Sequence, residues 1–270
     1  MNARLHVGVQ GVAVLGPGLP DWASAAACLR EASGWQRAAT AVPAPALLPA
    51  TERRRAGTVV KASVAVAEAA CAAAGLAPAT LATVFSSSTG DPANCHAMCE
   101  ALATPERVVS PTRFTNSVHN VTAGIWHIAT RAMTASTSLG AFDASFAVGL
   151  LEAAVQCVHA KAPVLFVACD VPYPEPLHGV RPLPDSFALA LVLVPQGGRA
   201  LTLALAGDAP PTRCADAGLE ALRTQIPAAR ALPLLQALAA RAAALMIIEG
   251  LPMQALSASV GAAADEPDEP

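Results

Sequence analysis

The chain has 270 residues, long for one simple domain and short for two full ones, so one large α/β unit with a C-terminal appendage is expected. It is 54% hydrophobic and 14% charged, with a mean hydropathy of +0.46. That composition points either to an apolar face covered by a permanent partner or simply to an alanine-rich sequence. A net charge of −3 and a pI near 6.1, with no basic cluster larger than Glu52-Arg53-Arg54-Arg55, argue against nucleic-acid binding.

The start, Met1 to Pro20, is interrupted by Gly11, Gly16, Pro17 and Gly18 and lacks the apolar run of a signal peptide. The best membrane candidate, Ala62 to Leu81, is mostly alanine and contains Glu68 and Pro78, so no membrane span is expected. These features place the protein in the cytoplasm. Seven cysteines without paired spacing fit reduced, mostly buried thiols.

In chain order, Leu5 to Leu15 reads as the first core strand, and a helix follows from Asp21 as N-cap to about Glu31, with Gly34 as its stop. Residues 37–56 read as an irregular Pro/Ala segment. Thr58 to Ala74 is a helix with Val59, Ala62, Val66 and Ala70 on one face and Gly75 at its end. Leu81 to Ser87 is a buried strand, and the helix Pro92 to Ala103 sets Cys95, Met98, Cys99 and Leu102 along one side. Cys95, His96 and Cys99 are too few, and too divided between faces, for a structural zinc site. No metal and no cofactor is expected.

Ser110 to Asn116 reads as a loop, Val121 to Met133 as a helix capped by Asn120 or Ser117, and Thr134 to Ser138 as a short strand. Asp143 and Ser145 are placed to cap the next helix, Ser145 to Ala160, and Pro163 to Ala168 is a buried strand. After a proline-stiffened loop, Ser186 to Val194 and Leu201 to Ala206 form a hairpin about Gly197-Gly198. Asp216 to Thr224 and Ala231 to Ile248 read as helices, and the acidic tail as disordered.

Ser110-Pro111, Asn116, His119-Asn120 and Ala123-Gly124, followed by Ser136-Thr137 and an Ala/Gly-rich helix, resemble β-ketoacyl-acyl-carrier-protein synthases of the thiolase fold. The resemblance implies an α/β, thiolase-like layered fold: the first half of a ketosynthase with a shortened helical C-terminal part. Its implied divisions are a ketosynthase-like domain at 1–207, a helical appendage at 208–254 and a disordered acidic tail at 255–270. On this pattern the active-site cysteine falls on Ala144, or one place on, at Ser145; neither carries a thiol, and the nearest downstream, Cys157, lies inside the helix. The family's catalytic histidines come from the second half, and no histidine follows His178.

Ketosynthase-like chains without the cysteine are chain length factors, short forms of which belong to aryl polyene pathways. The resemblance therefore implies a non-catalytic partner of a ketosynthase, served by an acyl carrier protein through the complex. Cys95, Met98, Cys99, Phe114, Thr115, Asn116 and Met133 are the expected lining of the acyl tunnel and subunit contact. His119 and His127 are candidate bases without an evident nucleophile. The sequence lacks the G-x-S-x-G elbow, the G-x-G-x-x-G fingerprint after its first strand and a phosphate loop. A scaffold or binding protein built on a decayed thiolase half is the other reading.

Overall fold

The computed structural model describes residues 4–31, 34–240 and 242–263. Its elements are β1 (Arg4–Leu15), α1 (Trp22–Arg30), α2 (Ala50–Arg55), α3 (Thr58–Ala74), β2 (Ala82–Ser86), α4 (Pro92–Ala103), α5 (Pro111–Thr115) and α6 (Val121–Thr130). There follow β3 (Ser136–Leu139), α7 (Ser145–Ala160), β4 (Val164–Asp170), α8 (Leu177–Val180), β5 (Phe187–Val194), β6 (Arg199–Leu205), α9 (Ala217–Gln225), α10 (Leu232–Ala239), β7 (Ala244–Leu251) and β8 (Gln254–Val260). All eight strands belong to one sheet, in the order β3-β2-β4-β5-β1-β6-β8-β7. β3, β2 and β4 run parallel, and the remaining pairs are antiparallel.

Every residue of β4 and β5 is buried, as near-continuous apolar runs require when helices cover both faces of a sheet. One face packs against α3 and α6, and the other against α1, α7, α9 and α10. Helix α7 touches β1, β2 and β4 and also β7, so the far end of the sheet comes round to meet the same helix. It approaches the sheet closely at Gly149, where a Cβ would stand 2.6 Å from Phe166 and 2.7 Å from Ser86. That approach explains a glycine in the middle of a helix. At the end of α3, Gly75 takes the expected left-handed cap, φ +65.

Several expectations change. Ser186–Val194 and Leu201–Ala206 are strands, but not hairpin partners: β1 lies between them and pairs with both. The turn at Gly197-Gly198 reverses the chain without deciding which strand fills the gap. The helix expected over Ala231–Ile248 ends at Ala239, and Ala244–Leu251 is strand β7, with Met246 and Ile248 buried in alternation. The segment 208–254 is therefore not a helical appendage, and the disorder expected from residue 255 fails for residues 255–260, which belong to β8 (Gln254–Val260). Residues 264–270 of that tail lie outside the described residues.

Smaller differences are local. α1 is capped by Asp21 as expected but stops at Glu31, before Gly34. Ala50–Arg55 and Pro111–Thr115 are short helices in stretches read as irregular. α6 stops at Thr130, three residues early, where Arg131 turns left-handed.

Candidate functional site

The start of α7 is built by a tight turn, Phe142–Ala144, leading out of edge strand β3. Phe142 sits at φ +52, an uncommon conformation for a bulky residue. Neither expected cap is used as such. The N-cap is Ala144, Ser145 Oγ accepts from Ala141 N (2.9 Å) and donates to Phe142 O (2.7 Å), and Asp143 turns to two arginines. Ala144 is 4% exposed and Ser145 1%.

Asp143 pairs with Arg181 and lies 3.4 Å from Arg230, whose guanidinium also lies 3.2 Å from Glu249. Arg223 holds Glu249 at 3.4 Å and takes Glu220 in a two-pronged bond of 2.8 and 2.7 Å. The Arg223 hydrogen bonds keep the Glu220 carboxyl below its usual range, and burial pulls Arg230 down from the ordinary guanidinium value. A cleft of about 540 Å³ opens beside this cluster, between Phe142–Ala144 and the turn joining β7 to β8.

No described cysteine stands in for a nucleophile there. Cys157 is fully buried and its thiol is pushed up to about 11; burial takes Cys71, Cys169 and Cys214 to about 12. At neutral pH such groups are thiols, not thiolates. His127 Nε2 is engaged at 3.0 Å with Thr83 Oγ1, which donates to Ser136 Oγ (2.8 Å). His119 lies against Gly90 and Gly140 and borders a void of about 20 Å³ shared with Ser86 and Ser87, too small for a substrate.

The residues expected to line a tunnel lie on or near the surface of this chain. Cys95, Cys99, Phe114, Thr115 and Met133 are exposed, and Met98 and Asn116 half-buried. Thr115 and Asn116 meet in a groove of about 350 Å³ along α6, floored by Val121, Gly124, Ile125 and Ile128. Cys95, Met98, Cys99, Phe114 and Met133 lie outside it. The sequence reading missed Ile125 and Ile128. Their signal was the second apolar stripe on α6, opposite the buried Ala123 and Trp126.

It also missed Asp170, 1% exposed at the end of β4. That carboxylate accepts from Ser88 N (2.7 Å), Ser88 Oγ (2.8 Å), Ser87 Oγ (3.3 Å) and Ala228 N (2.8 Å). Burial raises its pKa against those four donors, and the side chain ties the loop after β2 to the turn before α10.

A mixed sheet between helical layers, with a strand-to-helix turn at the start of a buried central helix, defines the thiolase-like ketosynthase fold. Residues 22–250 match the model of the β-ketoacyl synthase N-terminal domain, and the chain belongs to that family. Among solved structures, it is similar to a chain of the ketosynthase ApeO in complex with its chain length factor ApeC from Xenorhabdus doucetiae. The identity is 21%, the TM-score 0.73, and the match covers 94% of this chain and 99% of that one. It is also similar to a chain of AntDE:AntF, an acyl-carrier protein in complex with its ketosynthase (12%, TM-score 0.74, 96% and 100% covered). A third likeness is to the ishigamide ketosynthase/chain length factor (14%, TM-score 0.66, 96% and 100% covered). No curated protein matches the chain. Among the described residues, no helix is long and apolar enough to cross a membrane.

Proposed function

We propose that this chain is a chain length factor: the subunit of a heterodimeric β-ketoacyl-acyl-carrier-protein synthase that supplies no nucleophile and shapes the acyl tunnel at the contact with its catalytic partner. The observation that carries the reading is the conjunction of Ala144 at the buried start of α7 with edge strand β3, just before which Met133 stands exposed. Covalent acyl transfer needs an activated nucleophile, and alanine offers none. An apolar residue left in water on a folded chain gains most when a second protein covers it. The ketosynthase and chain length factor complexes of like fold and like chain length support the same reading.

In this reading Cys95, Met98, Cys99, Phe114, Thr115, Asn116 and Met133 form half of a wall that the partner completes. An acyl carrier protein delivers the chain through the complex, and the product is a polyene or other polyketide of the aryl polyene kind. Each further methylene buried in the tunnel contributes about 0.8 kcal/mol, so one side chain that plugs it sets product length.

Co-expression with a catalytic ketosynthase is expected to give a single heterodimer by size-exclusion chromatography. Maleimide labelling of the exposed Cys95 and Cys99 should slow by about tenfold or more on pairing, as solvent leaves the contact. The buried Cys71, Cys157, Cys169 and Cys214 should stay unlabelled in both states. A monodisperse monomer that ignores ketosynthases, with unchanged labelling, would return the chain to a scaffold or binding role.

A further inference from the structure

Three arginines and three carboxylates around the start of α7 make one connected chain across separate segments. Arg181, just after α8, pairs with Asp143 and holds its guanidinium 3.7 Å from the centre of the Phe142 ring. Arg230 donates to the Asp143 carbonyl and reaches both Asp143 and Glu249. Glu249 belongs to β7 and is shared with Arg223, which Glu220 holds from within α9. Charge cancels, three against three.

The two central arginines are buried, Arg223 at 4% and Arg230 at 7% exposed. Asp143 and Glu249 keep 44% and 38% of their side chains exposed, so water partly screens the pairs, but removing one carboxylate leaves a buried guanidinium less compensated. Glu249 compensates both at once. It also stands at the foot of the β7–β8 turn, whose Leu251, Pro252 and Met253 are exposed and add little burial of their own. This turn is one wall of the 540 Å³ cleft, and Phe142–Ala144 is the other.

We propose that this ion-pair chain is a latch: it holds the β7–β8 hairpin at a fixed distance from the start of α7, setting the width of the cleft and keeping Ala144 buried. Neutralising Glu249 frees the hairpin end while the sheet behind it stays closed. The strands β4 and β5 draw their stability from apolar burial on both faces and share none of these charges. The latch belongs to this chain alone, so its failure would leave the proposed pairing in place.

Hydrogen exchange read by mass spectrometry on the full chain tests it. In Glu249→Gln, amides of residues 250–256 should exchange about tenfold faster or more, with β4 and β5 unchanged. A thiol introduced by Ala144→Cys should react with maleimide faster in the Glu249→Gln background than alone. If Glu249→Gln does not fold, Asp143→Asn, which breaks the chain from the α7 side, is read in the same way. Unchanged exchange at 250–256 overturns the latch. So does a parallel rise across β4 and β5, which would make these pairs a general support of the fold.

Discussion

The sheet has two edges, and the chain treats them differently. At one end, β7 exposes Leu245 and Leu251, but its middle is closed by the chain's own loop: Thr212 N donates to Ile247 O and Ile247 N donates to Thr212 Oγ1, both at 2.9 Å. At the other end, the four-residue β3 pairs as a strand with β2 alone among the described residues, and Met133, just before it, is 97% exposed. An unpaired strand edge beside exposed apolar side chains invites another chain, and natural proteins blunt the edges they keep to themselves. The difference teaches which edge the fold closes by its own loop and which, in the proposed pairing, is left for the ketosynthase.

The sharpest way to break this comparison is to charge the β3 side. Met133→Asp should weaken ketosynthase pairing by about 2 kcal/mol or more, roughly 30-fold in Kd by titration calorimetry, while thermal stability of the lone chain stays within experimental scatter. The opposite edge should respond in the opposite way. Thr212→Val removes the acceptor for Ile247 N–H and should lower folding stability by about 1 kcal/mol in a urea melt, with pairing affinity unchanged.

The smallest effect concerns pH. Because Glu220 titrates lower in the folded chain than in the unfolded one, its pairing with Arg223 stabilises the fold at neutral pH, and that contribution disappears as pH falls through the carboxylate range. Urea midpoints for the native chain and Glu220→Gln should thus differ at pH 7 and converge towards pH 3. A constant gap would mean that the ion pair is not what Glu220 contributes.

Much of the first part of the fold was legible. Thr58–Ala74, Pro92–Ala103 and Ser145–Ala160 form as helices over the expected residues because their apolar spacing, with Gly75 and Pro92 at the ends, fixes them locally. The surroundings of Ala144 were not legible. Nothing near Ala144 in sequence announces Arg181, Arg230 and Glu249, which gather there only because α8, the turn before α10 and β7 converge on one helix start.

Local sequence by itself determined the bounds of α3, α4 and α7 and that residue 144 offers no thiol, since periodicity, caps and side-chain chemistry need no distant partner. Tertiary structure alone decided that β1 separates β5 from β6 and that Ala244–Leu251 leaves a helical-looking stretch to become a strand. Ala-rich segments with Leu, Met and Ile satisfy either period, and the choice fell to the free side of β8, where Met246 and Ile248 find cover.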